Sequence, residues 1–148
     1  MKLELDARSY YEASLEHALA ARLLYNERKF PLSIYVSGLS VECLLRAFVG
    51  RSSLEFDEKH DLRKLFKRSK FAELVGDIEA PRLETAFNCV VLRWDNRHRF
   101  LSEKAMRRFM KKNELDRRIK GDPLKENCRI AVESAIEIAK AGRLSWKD

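Results

Sequence analysis

Glycine, proline and cysteine are all scarce in this chain of 148 residues, which contains five, three and three of them. The few glycines and prolines leave little material for the many tight turns of an all-β domain. Cys43, Cys89 and Cys128 lie far apart in apolar stretches, which fits neither a disulfide framework nor a zinc site. Asp57 and His60 resemble one half of a di-metal site, but the sequence offers no second half. We therefore expect buried thiols, no metal ion and no cofactor.

Long apolar runs are missing as well. No stretch approaches the roughly 18–20 apolar residues that span a bilayer, and the first residues, MKLELDARSYY, lack the apolar core of a signal peptide. We therefore expect a soluble, cytoplasmic protein with no membrane association. With 45% hydrophobic and 36% charged residues, the composition is that of a globular protein, and the length predicts a single domain spanning residues 1–148.

Positive charge, by contrast, is plentiful and is concentrated in one segment. The formal net charge is +7, and residues Arg93–Lys120 contain eleven Lys or Arg against four Asp or Glu, so this segment carries the whole excess. Such a segment is expected where a protein binds a polyanion, although a solvated helix face is the alternative interpretation. The residues predicted to bind RNA are Arg97, Arg99, Lys104, Arg107, Arg108, Lys111 and Lys112.

Helical periodicity and helix-capping residues recur along the whole chain. The predicted helix starts are Ser9 with capping-box spacing to Glu12 (or Asp6 just before it), Pro31, Asp61, Pro81, Ser102 and Asp122-Pro123, and the predicted stops include Gly50 and Gly142. No segment alternates with the period of a strand. The sequence therefore predicts an all-α fold, an antiparallel up-and-down helical bundle of four long helices plus one or two short helices.

Several side chains have predicted positions within this bundle. The first helix is expected to bury Tyr11, Leu15, Ala18 and Leu19 on one face, and Trp94 is expected to pack in the core. Gly38 lies within the second helix, where glycine costs about 1 kcal/mol relative to alanine, so we expect a neighbouring helix to approach closely there. Glu42 is expected to be a buried group paired with Arg46, or else to line a nucleotide pocket.

One long stretch resembles a known family. YEASLEHALAARLLYNERKFPLSIYVSGLSVECLLRAFVG, followed by KHDLRKL, is similar to a HEPN domain of the prokaryotic type over about Tyr11 to Phe66. The residues that carry the resemblance are Tyr35, Ser37, Gly38, Ser40, Glu42, Leu44, Leu45, Arg46 and Ala47, and then His60, Asp61, Leu62 and Leu65. The resemblance implies a helical up-and-down bundle, commonly a homodimer.

The same resemblance implies a candidate active site. HEPN ribonucleases cleave RNA without metal and carry an Arg followed a few residues on by a His, and often by a Tyr two residues later; Arg93, His98 and Phe100 occupy these places. A histidine can move a proton to or from a ribose hydroxyl or the leaving oxygen, and an arginine can hold two phosphate oxygens. On this hypothesis Arg93 and His98 are catalytic, and two protomers share the site.

The stretch also fits a second HEPN pattern that is not associated with cleavage. In that pattern a Trp is followed, after four intervening residues, by Arg-Tyr, and Trp94, Arg99 and Phe100 match it. Three hypotheses therefore stay open: a ribonuclease of toxin–antitoxin or phage-defence type acting on tRNA or mRNA; a non-catalytic HEPN module that dimerises and binds a nucleotidyltransferase-type or antitoxin partner, a nucleotide or nucleic acid; and a purely electrostatic nucleic-acid binder that does not depend on His98.

Overall fold

The computed structural model describes residues 5–52 and 61–147, without the side chains of residues 51 and 52. Within these ranges the chain forms helices and no strand, which confirms the all-α prediction. The elements are α1 (Ala7–Asn26), α2 (Phe30–Ser52), α3 (Leu62–Ser69), α4 (Phe71–Val75), α5 (Ala80–Arg93), a 3₁₀ turn (Asn96–Phe100), α6 (Glu103–Lys112) and α7 (Pro123–Ser145). The four long helices are α1, α2, α5 and α7.

The long helices alternate in direction along the chain. The hydroxyl of Ser33, near the start of α2, donates to the carbonyl oxygen of Ala21 near the end of α1 (2.7 Å), and that of Ser40 donates to the carbonyl of Ser14 (2.7 Å). Since a later residue of α2 meets an earlier residue of α1, the two helices are antiparallel.

Helix α7 completes the alternation by running against α5. Arg93 at the end of α5 bonds Asn127 near the start of α7, while Arg82 near the start of α5 pairs with Glu137 further along α7. These two cross-helix pairs show that the two helices are antiparallel. The predicted up-and-down bundle is therefore confirmed.

Side-chain caps explain where most helices begin. Asp6 accepts from Ser9 N (2.8 Å) and starts α1, so the earlier of the two predicted starts is correct. Asp61, Ser102 and Asp122 cap α3, α6 and α7 as predicted. Each carboxylate or hydroxyl satisfies a backbone N–H that has no partner within the helix.

The predicted glycine stops are wrong, and one short helix was not predicted. Helix α2 continues past Gly50 to Ser52, and α7 continues past Gly142 to Ser145. Gly142 instead makes room for α2, because a Cβ at this position would lie 2.6 Å from both methyl carbons of Leu44. The additional helix, α4, exists because Lys70 adopts a left-handed conformation (φ 55°), which ends α3 and lets a new helix begin.

The buried face of α1 consists of small residues. Ser14, Ala18 and Ala21 are buried, whereas Leu19 is 68% exposed, so its predicted place in the core is wrong. The reason is the close approach of α2, whose serine hydroxyls reach backbone carbonyls of α1. A leucine would hold the helices too far apart for these bonds, and the larger side chains of α1 lie on other faces.

Trp94, rather than a neighbouring helix, occupies the space above Gly38. A Cβ on Gly38 would lie 2.0 Å from Cδ1 of the indole, so only glycine fits beneath the ring. The indole N–H donates to the carbonyl oxygen of Tyr35 (3.0 Å), and Trp94 is 9% exposed. The contact between Trp94 and Gly38 therefore accounts for both predictions, the close approach of another element at Gly38 and the burial of Trp94.

Helix α2 is the most buried of the long helices. Its stretch Phe30–Gly50 is long and apolar enough to cross a membrane by length and composition, with a mean hydropathy of 1.5, and 72% of its most apolar 18 residues are buried inside the bundle. The prediction that no stretch approaches the length of an apolar membrane span is therefore wrong. Core helices of soluble proteins and signal sequences pass the same test. Within α2, Glu42 is buried and accepts from Arg46 Nε (3.2 Å), as predicted.

All three cysteines are free thiols. Cys43 and Cys128 are buried as expected, and burial raises the pKa of each to about 11, whereas Cys89 is only half-buried. Asp57 and His60 lie outside the described residues. Elsewhere in the described part of the chain, no three His, Cys, Asp or Glu side chains are grouped so that they could hold a metal ion.

Candidate functional site

The basic segment Arg93–Lys120 folds into four consecutive pieces. Helix α5 ends at Arg93 because Trp94 and Asp95 adopt extended backbone conformations (ψ 137° and 142°). The 3₁₀ turn follows, then α6, then a loop to α7. The predicted site residues are therefore distributed over the end of α5, the 3₁₀ turn and α6.

Arg93 extends from the last turn of α5 toward α7. Its Nε donates to Oδ1 of Asn127 (2.8 Å) and its Nη1 donates to the carbonyl oxygen of Cys89 (2.9 Å). Asn127 is fully buried and its amide also donates to the carbonyls of Leu115 and Pro123 (both 2.8 Å). Burial lowers the pKa of the half-buried guanidinium. In these contacts Arg93 joins α5 to α7 and to the loop before it.

His98 is buried within the 3₁₀ turn. The residue is 3% exposed, its Nδ1 accepts from the backbone N–H of Asp95 (3.2 Å), and its ring meets that of Phe109 at 73° with centroids 4.4 Å apart. Burial lowers its pKa below the ordinary value; Asp95 acts in the opposite direction and Arg97 in the same one. Because Nδ1 is an acceptor, the neutral ring carries its proton on Nε2, which is buried and has no hydrogen-bond partner among the described residues.

Arg93 and His98 make contacts with different residues. Arg93 bonds Asn127 and Cys89, while His98 contacts Asp95 and Phe109, and the two residues share no hydrogen-bond partner in the part of the chain that the structure describes. A general base needs a free lone pair on an accessible ring nitrogen. In the arrangement described here, one nitrogen of His98 accepts a backbone hydrogen bond and the other is buried and protonated.

Three of the seven predicted RNA-binding cations have partners within the protein. Arg97 makes two bonds to the carboxylate of Asp95 (both 2.9 Å), and this pairing lowers the pKa of Asp95 to about 2. Arg107 bonds Asp122 (2.8 Å). Arg99 donates to the side-chain oxygen of an asparagine in the same turn (3.1 Å). These contacts reduce the availability of all three side chains for a ligand.

The other four cations, all on α6, face solvent without an ion-pair partner among the described residues. They are Lys104, Arg108, Lys111 and Lys112, and we call this set the α6 cation face. The spacing places them on one side of the helix, opposite Met106 and Met110, which are 0% and 1% exposed. Burial of the two methionines fixes the rotation of α6 and thereby directs these cations outward.

A cavity of about 360 Å³ lies where the 3₁₀ turn meets α6. Its lining includes His98, Leu101 and Phe109 together with Arg108 and Lys112. Two members of the α6 cation face therefore also border a partly apolar recess.

Phe100, which the resemblance places at the tyrosine position of the family pattern, has a largely exposed side chain. It is 73% exposed. The guanidinium carbon of Arg99 lies 4.6 Å from the ring centroid. The sequence contains one indication of this exposure. The residues three and four positions away from Phe100 on both sides are all polar, so Phe100 has no apolar neighbours with which to form a buried helix face.

No protein-family model, curated protein or solved structure matches this chain. The resemblance to HEPN domains therefore rests on the residues quoted above and stays a prediction. Of its last group, His60 lies outside the described residues, Asp61 caps α3, and Leu62 and Leu65 are buried.

Proposed function

We propose that this chain is an RNA-binding module of the HEPN type, and that it binds RNA through the α6 cation face without using His98 as a catalyst. The observation that carries the proposal is the set of four exposed cations without ion-pair partners, held opposite the buried Met106 and Met110. The concentration of the whole net charge in the surrounding segment supports the same ligand.

The affinity expected from this face depends on salt. Each phosphate that a cation neutralises releases about 0.7 counterion from a single strand. Four such contacts predict that log K falls with log [salt] with a slope of about −3, which corresponds to a loss of about 50-fold between 50 and 200 mM salt. Cations already paired with carboxylates, such as Arg97 and Arg107, contribute less because a phosphate must first replace the carboxylate.

We favour RNA binding over cleavage because neither ring nitrogen of His98 is free to act as a base. To act as a base, the ring would need an accessible nitrogen without a proton, yet Nδ1 accepts from Asp95 N and Nε2 is buried. Cleavage remains the alternative prediction, and the cavity bordered by His98, Arg108 and Lys112 is the observation in its favour. It requires His98 to leave its bond with Asp95 and turn toward that cavity.

We also propose that two copies associate through α1. Leu19 and Leu23 are 68% and 65% exposed, one turn apart on the same side of the helix. If a second α1 packs antiparallel about an axis at Leu19, Leu23 meets Leu15 of the other copy, and Glu16 meets Arg22. This surface is thus self-complementary in both apolar groups and charge, as a two-fold interface requires.

The proposed function is tested by measuring RNA affinity between 50 and 200 mM salt in EDTA. The test variant replaces the α6 cation face by glutamine: Lys104→Gln, Arg108→Gln, Lys111→Gln and Lys112→Gln. The control removes the same charge from exposed cations in α3, directly after α3 and in α7: Lys67→Gln, Lys70→Gln, Lys140→Gln and Arg143→Gln. We expect the first variant to lose most of the salt dependence and the control to keep it.

Two results would contradict the proposal. If both variants lose RNA affinity equally, only the net charge matters and the α6 cation face is not the binding site. If the unmodified protein shows no salt-dependent RNA binding, the proposed function is wrong. The same samples, run on a denaturing gel, test the alternative. RNA fragments with 2′,3′-cyclic phosphate ends, formed by the protein and not by a His98→Gln variant, would establish the ribonuclease.

A further inference from the structure

Phe100 is the one aromatic side chain of the described residues that is mostly exposed. At 73% exposure it differs from the other large exposed hydrophobic residues of those ranges, which are leucines and one isoleucine. A phenylalanine in this position leaves a large apolar surface in water, at a cost that burial would remove.

The local backbone explains why Phe100 cannot reach the core. His98 takes the inward position of the 3₁₀ turn, and Phe100, two residues later, points to the outside. The turn ends at Leu101, whose backbone N–H donates to the carbonyl of His98 (3.0 Å), and Ser102 then caps α6. The capping bonds on both sides therefore hold the exposed ring at a defined place just before the α6 cation face.

One side of the ring is covered by a cation. The guanidinium carbon of Arg99 lies 4.6 Å from the ring centroid, within the range of a cation–π contact. Arg99 is itself held by its bond to Asn96 (3.1 Å). No other aromatic ring of the described residues stacks on Phe100, and at 73% exposure its second side is open to a planar ligand.

We infer that Phe100 stacks on an unpaired base of RNA, and that the ligand of the proposed RNA-binding face is therefore single-stranded. This inference rests on the proposed function. Every base presents a flat π-surface, so stacking on an aromatic residue tolerates any sequence. Bases within an A-form duplex are stacked on one another and are not available to such a ring. A strand with one base on Phe100 can continue with its phosphates along α6.

The distances along the chain suit this path. Lys104 follows Phe100 by four residues, and the α6 cation face extends from Lys104 to Lys112, about 12 Å along the helix axis at 1.5 Å per residue. On this inference, stacking at Phe100 and charge at α6 contribute to the same binding surface. They differ in how they depend on salt, because stacking releases no counterions.

The first experiment separates stacking from charge. We expect Phe100→Leu to lower the affinity for single-stranded oligouridylate by about 5- to 150-fold, with an unchanged salt slope and unchanged affinity for a duplex. Phe100→Trp should restore binding to the single strand. Leu92→Ala, which trims another exposed apolar residue (56%), is the matched control and should have no effect.

A second readout reports the stacking directly. The fluorescence of the tryptophan in Phe100→Trp, measured against the unmodified protein with its two native tryptophans, should be quenched by the oligonucleotide. A Leu144→Trp variant, altered at an 82% exposed position near the end of α7, should show no additional quenching.

Each outcome has a definite meaning. If the unmodified protein binds with the expected salt slope but Phe100→Leu binds equally well, or the new tryptophan is not quenched, the stacking inference is wrong and the proposed function stands. If the duplex binds as tightly as the single strand and is weakened equally by Phe100→Leu, the assignment of a single-stranded ligand is wrong. If the unmodified protein does not bind RNA, both proposals fail.

Discussion

Replacement of His98 by glutamine separates a structural histidine from a catalytic one. In a capping box, a glutamine at this position accepts from the same backbone N–H that Nδ1 of His98 accepts from, so His98→Gln keeps the bond to Asp95 N while removing the titrating ring. The substitution also removes the contact with Phe109. We expect it to cost about 1 kcal/mol of unfolding free energy at pH 7.5.

The informative quantity is how this cost changes with pH. Burial lowers the pKa of His98 in the folded protein, so the unfolded chain, with a pKa near 6.5, takes up a proton first as the pH falls. Stability from the neutral ring is therefore complete above about pH 6.5 and declines below it. For one proton the decline is at most about 1.4 kcal/mol between pH 7.5 and 5.5.

The assay is urea unfolding of both proteins at pH 7.5, 6.5 and 5.5. All other titrating groups are common to both and cancel in the difference, apart from those that act on His98 itself. Asp95 and Arg97 act on the pKa of His98. The charged residues that face it from α6 are Arg108 and Lys112, which border the same cavity. The destabilisation by His98→Gln should shrink toward pH 5.5. If it is constant across the range, His98 protonates as easily folded as unfolded, and the argument against catalysis is lost.

Two further predictions concern the fold and the assembly. Gly38→Ala should lower the free energy of unfolding by about 1–3 kcal/mol in chemical unfolding, because the new methyl group would lie 2.0 Å from the Trp94 indole. Gly121→Ala is the control, since a Cβ there has no atom within 4 Å, and it should change the free energy by less than about 0.5 kcal/mol. Equal effects of the two substitutions would mean that the indole moves without cost. The double change Leu19→Lys with Leu23→Lys should convert a dimer to a folded monomer in sedimentation experiments, and a monomeric unmodified protein at high micromolar concentration would refute the α1 interface.

The correctly predicted parts of the fold depend on interactions between neighbouring residues. Asp61, Ser102 and Asp122 start helices because each side chain bonds a backbone N–H two or three residues further along. Glu42 and Arg46 pair because positions four apart lie on the same side of a helix. Such contacts need no knowledge of how the helices pack, and so a single sequence was sufficient to predict them.

The helix end predicted at Gly142 was wrong because this glycine depends on a contact between helices. Gly142 does not end α7, and it leaves space for the Leu44 side chain of α2. Gly38 leaves space for Trp94 in the same way. Both positions are distant in sequence from the residue that explains them. Leu19 was misplaced on the same grounds, because the close packing of α1 on α2 selects small side chains for the interface.

The sequence by itself therefore determined that the protein is all helical, where most of its helices start and which segment carries the excess positive charge. These properties follow from helix capping, periodicity and composition, which are local to the sequence. Only the tertiary structure decided which cations face solvent without partners, that Arg93 joins α5 to α7, that His98 is buried and bonded to Asp95, and that Phe100 is exposed. These features depend on which helices meet and on how the burial of Met106 and Met110 orients α6, and that is settled by packing between residues far apart in the chain.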